Sequence, residues 1–330
     1  MTQKTISLVS LLLFLLVIGG LAWYINKTYL NQATTKPQTG ISNSLINETS
    51  EGASLVYLTA GKTTEIWLKD QKGKTKKIFT DADEAEKLIK VSNLALSQPT
   101  VLAITNKDAK ATTGKLVKID LTKGTKETLQ DTFSCPLYWS ITQDAAKITY
   151  IKFSNLEENY GYTLYSEQST GSGQRKLFNN SAEIRSPAWN PAGTKIAFAT
   201  SSGTEGQIRI ANVSHQEVSL LKSWADKIVD WVSWMSDDKL VFSLRDIGSH
   251  NGQIETIEIG NDQASKITDY TGGEASYIFA SADEKFLGFL VAQYSQQIDD
   301  KTNGQIFMEN LTDQSQKAIG KASQLLGWLQ

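Results

Sequence analysis

The 330-residue chain has one cysteine, two histidines and only four arginines, and each scarcity removes a class of function. The single thiol, Cys135, excludes an internal disulfide framework, and its place at the start of an apolar strand suits a small buried residue. Two isolated imidazoles, His215 in a tight turn and His250 in the loop 248–252, do not make the clustered set of a zinc site. Arg175, Arg185, Arg209 and Arg245 are scattered, and the net charge is −2 with lysines and acids interspersed. A nucleic-acid binder needs a basic face and arginine for bidentate contacts, so nucleic acid is not an expected partner. No Gly-x-Ser-x-Gly elbow occurs, and Gly61-Lys62-Thr63 lacks the upstream glycine of a phosphate loop. Two acidic turns, 70–73 and 310–313, resemble calcium loops only superficially, because the equivalent turns elsewhere are rich in Lys or Ser. No cofactor, metal or catalytic residue is expected.

What is present is a repeat. The block Ser186-Pro187-Ala188-Trp189-Asn190-Pro191-Ala192-Gly193-Thr194-Lys195-Ile196-Ala197-Phe198 has degenerate copies at 138–153, 232–242 and 277–289. The apolar strands that follow each turn begin at Leu55, Val101, Ile148, Ile196, Leu240 and Phe286, separated by 46, 47, 48, 44 and 46 residues. A fixed period of this size means stacked units of one architecture. Each unit continues with a loop ending in glycine, an alternating strand such as Gln207-Ile208-Arg209-Ile210, a short polar turn and a last strand. Alternation bounded by Gly, Asn and Asp is a hairpin signal, and four antiparallel strands per unit describe a propeller blade. The expected fold is therefore all-β: a six-bladed β-propeller of four-stranded antiparallel blades over residues 54–330. The unit opening at Leu55 lacks a first strand, while Leu325-Leu326-Gly327-Trp328 reads as a first strand with Trp328 in the place of Trp189. The C-terminal strand is expected to complete blade one, removing an exposed sheet edge.

The segment Trp189 to Phe198 resembles the Trp-Ser-Pro-Asp-Gly-Lys-Ile-Ala-Phe signature of TolB-type, WD-like propeller repeats. Blade four matches closely, blade five keeps Trp234 and Ser236-Asp237-Asp238-Lys239, and the others keep mainly the period. The resemblance implies a fold and not an activity, since that family includes periplasmic scaffolds and the propeller parts of prolyl-oligopeptidase-like enzymes. Trp139, Trp189, Trp234 and Trp328 are expected to fill the wedges between neighbouring sheets.

Ahead of the repeats, residues 6–25 form an uncharged apolar stretch of 20 residues. As a helix it spans about 30 Å, the thickness of a bilayer core. Trp23 and Tyr24 would sit at one interface. A cleaved secretory signal ending near Gly20-Leu21-Ala22 is one reading; the length favours an uncleaved signal anchor, one transmembrane helix after a tail of residues 1–5. Charge bias gives almost no orientation, and the short leading tail places the propeller outside the cytoplasm. Residues 26–53, rich in Asn, Thr, Ser and Gln, read as a flexible tether.

In an up-and-down blade the loops between second and third strands share one face with the blade-to-blade connections, and the tight turns share the other. The first face carries the variable loops, together with acids such as Asp81, Glu86 and Asp299 and the aromatics Tyr160, Trp224, Tyr270 and Tyr294. Variable loops on a rigid scaffold are where binding usually resides. Counting four residues back from each tryptophan position gives Lys90, Cys135, Arg185, Asp230, Ala275 and Gln324 near the channel mouth. The candidate ligand- or partner-binding residues are thus Lys90, Arg185, Asp230, Trp224, Tyr270 and Tyr294, with an ion pair between Arg185 and Asp230 as the plainer role of that pair.

These observations lead to a membrane-tethered, non-catalytic propeller that binds a protein partner in the cell envelope. A sugar- or peptide-sensing domain, or a lyase or hydrolase working in the central channel, are the alternatives. Ending the chain at Lys321 should remove Leu325, Leu326 and Trp328 from the core, at roughly 1.5–3 kcal/mol per large apolar side chain. A thermal melt of that truncation checks the closure, and an unchanged midpoint would rule it out.

Overall fold

The computed structural model describes residues 53–60, 63–81, 86–108, 110–156, 160–293 and 304–329. The chain divides into two units, 1–38 and 39–330, and every described residue lies in the second. The expected membrane anchor and tether lie outside the described residues, and no helix among the described residues is long and apolar enough to cross a membrane.

Six four-stranded antiparallel sheets make up the molecule, each in simple up-and-down order. The second strands begin at Ser54, Thr100, Lys147, Lys195, Lys239 and Phe286, within one residue of the starts read from the period. These strands are apolar on both faces because both faces are covered: Ile196 to Ala199 and Val101 to Ile104 have no exposed surface. The outer strands, such as Thr125–Ser134 and Glu217–Ala225, are half-buried or exposed along most of their length. Hydrophobicity therefore falls from the axis outward, and the core lies between blades. One cluster joins Ile208 of blade four to Val229, Val232, Trp234 and Phe242 of blade five.

The ring closes as expected. Gln324–Leu329 pairs with Ser54–Ala60 and completes the sheet of blade one, with Trp328 opposite Leu55. Leu326 packs into the core shared with blade two, while Leu325 and Trp328 pack with Leu290 and Ile306 of blade six. One strand thus fills two wedges.

Trp189, Trp234 and Trp328 are buried wedge residues. The indole nitrogen of Trp234 donates to the carbonyl of Ala188 in the preceding blade at 2.9 Å, and that of Trp328 donates to Phe279 at 2.8 Å. Trp139 differs from expectation. In blade three it is Ile141 that faces Ile148, the wedge position, and Trp139 sits two residues earlier, opposite Tyr150. In blade six Ala280 faces Leu287, so Phe279 is one residue early. The registers themselves match, since blade six carries the same one-residue bulge as blade four; the aromatic simply stands one or two residues earlier in the strand. Cys135 and Ala275 consequently fall short of the level that Arg185 and Asp230 occupy.

The turn after each inner strand explains the Asn-Pro-Ala-Gly block. Asn190 Oδ1 accepts the backbone N–H groups of Thr194 (2.8 Å) and Lys195 (2.7 Å), folding the turn around itself. Gly193 has φ +64°, a conformation that Ala145 and Glu284 adopt at the matching place in blades three and six. Glycine takes it without strain. The next blade grips this turn: Asp237 Oδ1 accepts from Asn190 Nδ2 (2.6 Å) and from Ala192 N (2.9 Å).

Trp234→Phe deletes the bond to Ala188 and shrinks the buried bicyclic ring to a phenyl. The expected loss is about 1–3 kcal/mol, a fall of several degrees in melting temperature. Calorimetry checks it.

Candidate functional site

The inner strands converge on a central cavity of about 640 Å³ to which all six blades contribute. It lies at the ends of the inner strands that lead into the short turns, since Gln143, Pro191, Met235 and Ala282 belong to those turns and line it. This volume falls within the range of about 300–1,000 Å³ typical of ligand pockets. Its walls are the indoles of Trp139, Trp189, Trp231, Trp234 and Trp328 with the rings of Tyr277 and Phe279. Two of these belong to the inner-strand bulges: Trp231 closes one, and Tyr277 sits within another at φ +51°. A positive φ on a bulky residue is uncommon and costs of order 1–3 kcal/mol, so the fold holds this ring in place. Trp231 and Tyr277 pack together with centroids 4.5 Å apart.

Among the described residues the lining carries no Asp, Glu, Lys, Arg, His or Cys. Its polar groups are amides and hydroxyls, and three of the four amides already hold blades together. Asn93 takes the N–H of Ile141 at 2.8 Å and donates to its carbonyl at 3.2 Å. Asn190 is held by Asp237, and Gln324 donates to Val91 O at 2.8 Å. Tyr277 is the one titratable group among the described lining residues, and burial pushes its hydroxyl up to about 12, so it stays neutral. The cavity is aromatic, faceted and uncharged.

The opposite end of the channel is its chemical inverse. Arg185 and Asp230 come together there, as expected, across blades four and five (3.2 Å). The structure adds Arg245, whose guanidinium forks onto the Asp230 carboxylate at 2.6 and 3.1 Å and reaches Glu274 of blade six at 2.8 Å. Glu183 completes the set at 2.5 Å from Arg185. Burial pushes the Asp230 carboxyl up, against the opposing pull of the Arg245 fork. Burial also works against the charge of Arg185, but the bond and charge of Glu183 outweigh it and hold the guanidinium above its ordinary value. The group is a three-blade ion network rather than an open clamp. Lys90 is likewise committed: its ammonium donates to the carbonyls of Pro136 and Leu137 in blade three, and burial draws its pKa down. It also lines a recess of about 230 Å³ between blades one and two.

The aromatic candidates do not form one groove. Trp224 packs on Phe242 at 5.1 Å inside the wedge between blades four and five. Tyr270 is buried in the wedge between blades five and six, with its hydroxyl where a Cβ on Gly252 would meet it at 2.5 Å. Tyr294 lies outside the described residues. Asp81 is not a loop acid either, since it is buried and takes the Lys126 ammonium at 2.6 Å and the Leu88 N–H at 3.0 Å. The residues that build the cavity, Trp231 and Tyr277 above all, were not singled out by the sequence. Their one signal is an aromatic beside a bulge that periodic counting does not locate.

No family model and no curated protein matches this sequence. Solved structures do match. A putative TolB from Agrobacterium tumefaciens superposes with a TM-score of 0.60 at 12% identity, covering 84% of this chain and 94% of that one. A chain of the nidogen/laminin complex gives 0.58 at 11% identity over 84% and 98%. An oligogalacturonate lyase in complex with manganese gives 0.51 at 10% identity over 78% and 71%. At such identities the likeness is one of fold: the chain is a six-bladed β-propeller, built as TolB proteins are.

Asp230→Ala should lower stability by about 3 kcal/mol, because Arg185 and Arg245 would lose the buried carboxylate they share and keep only the more exposed Glu183 and Glu274. Glu183→Ala, at a half-buried pair, should cost under about 1 kcal/mol. Urea unfolding of both variants checks the contrast; equal, small effects would return Asp230 to the role of a ligand group.

Proposed function

We propose that the chain is a non-catalytic, protein-binding propeller of the cell envelope, tethered through residues 6–25, and that its partner seats in the aromatic cavity. The observation that carries this reading is the lining: aromatic faces from five of the six blades and, among the described residues, no ionisable group other than a neutral tyrosine. Aromatic anchors in desolvated pockets dominate protein recognition. A hydroxyl such as Ser140, Ser233 or Tyr277 needs an imidazole, carboxylate or amine beside it to act as a nucleophile at neutral pH, and the described lining supplies none. The same scaffold serves a TolB and a chain of a nidogen/laminin assembly, and it also serves a lyase, so the fold by itself favours neither role.

A charge placed in this wall must be buried by any partner that fills it, which weakens binding unless the charge is paired. Gln143→Glu and Leu96→Glu, at half-buried and exposed wall positions, should therefore weaken a partner captured from envelope extract by tenfold or more while the fold survives. Tyr160→Ala, on the long-loop face and 59% exposed, should leave capture unchanged. Capture lost with Tyr160→Ala and kept with the wall variants would move the binding site to the other face. An empty capture would shift the reading to a small neutral ligand in the same cavity.

A further inference from the structure

We propose that the cavity accepts an uncharged aliphatic peptide segment, and that the chain's own residues 39–47 are such a segment, seated there until a partner displaces it. The proposal rests on the reading of the cavity as a protein-binding site. Three observations lead to it.

The first is where the chain enters the propeller. Ser54–Ala60 is the second strand of blade one, so it starts at the short-turn face, the face that holds the cavity. Ala53, the residue before it, is buried in one cluster with Trp328, Tyr277 and Phe279. Those three rings also line the cavity. The described chain therefore begins beside the cavity wall and not at a distant edge.

The second is chemical match. Thr39-Gly40-Ile41-Ser42-Asn43-Ser44-Leu45-Ile46-Asn47 holds no ionisable side chain, while Lys36 lies before it and Glu48 and Glu51 lie after it. The uncharged window coincides with the aliphatic residues Ile41, Leu45 and Ile46. A lining without charge can take these side chains with no buried ion left unpaired, and it would exclude the flanking Lys and Glu. The third is reach. Ile46 and Ala53 lie seven positions apart, a reach of at most about 25 Å when extended, enough to lay Leu45 and Ile46 over the wall whose rings cluster with Ala53.

An intramolecular ligand acts at an effective concentration of about 1 mM for a short linker, so it competes about tenfold against a free peptide that binds near 0.1 mM. The test uses the full chain in detergent micelles and a capped, dye-labelled synthetic peptide of residues 39–47, followed by fluorescence anisotropy. The variant carrying Ile41→Asp, Leu45→Asp and Ile46→Asp has its own segment disabled outside the folded blades. It should bind the peptide about tenfold more tightly than the unaltered chain, and adding Gln143→Glu should remove that binding. Equal affinities for the two chains, no binding by the triple variant, or binding indifferent to Gln143→Glu would each overturn the proposal. Partner capture that fails with Leu96→Glu, alongside a triple variant that ignores the peptide, would sink this inference and leave the protein-binding reading standing. Peptide binding alongside capture indifferent to the wall variants would do the reverse.

Discussion

No blade can bury its own faces. The second strands are apolar on both sides, so each must be covered by a neighbour on either hand, and only a closed ring gives every blade two neighbours. The six core clusters lie in wedges between blades. Burial at about 25 cal/mol per Å² thus stabilises the ring as a whole and no blade alone. The last strand bears this constraint most sharply, since Leu326 faces one wedge and Trp328 the other.

Apolar wedges are non-directional, and the directional contacts lie where the blades meet near the axis. Indole donors on Trp234 and Trp328, the Asp237 grip on the Asn190 turn, the Ser186 hydroxyl on Val232 N and the Asn93 amide on Ile141 all cross from one blade to the next. Each fixes one inner strand against another within hydrogen-bond geometry, which apolar packing cannot do. The network around Asp230 extends the same logic over three blades, with two guanidinium groups sharing one buried carboxylate. Such a group adds little net stability over apolar packing and much cost to any mispairing.

The period was legible because two-sided burial demands an unbroken apolar run once per blade, and such a run cannot be hidden by surface drift. Val101 and Ile148 announce their strands even where the neighbouring signature has decayed. Register near the axis was not legible. An aromatic that stands one or two positions earlier in its strand leaves the period unchanged, so Trp139 and Phe279 look equivalent to Trp189 and are not. The cavity was obscured by bulges, which add a residue without changing composition and set the positions of Trp231 and Tyr277. Trp224 and Tyr270 misled in the opposite sense: a residue at the end of an outer strand reads as a loop residue, yet the corner folds it into the wedge. Arg245 carried no signal at all, because a charge inside a second strand breaks the apolar run it belongs to.

The channel therefore has two chemically distinct ends, and the chain's direction decides which end meets which part of the molecule. Inner strands begin among Glu183, Arg185, Asp230 and Glu274 and finish among indoles, so charge is spent on holding blades at one end of the channel and is absent from the described cavity lining at the other. A site that recognises by shape and aromatic surface alone needs that separation, because a single unpaired ion in its wall would favour water over an apolar guest. Binding strength there depends on how well the guest fills the space between fixed rings. The strained backbone at Tyr277 is consistent with a ring held ready for a guest, since rigid walls lose little freedom when it arrives.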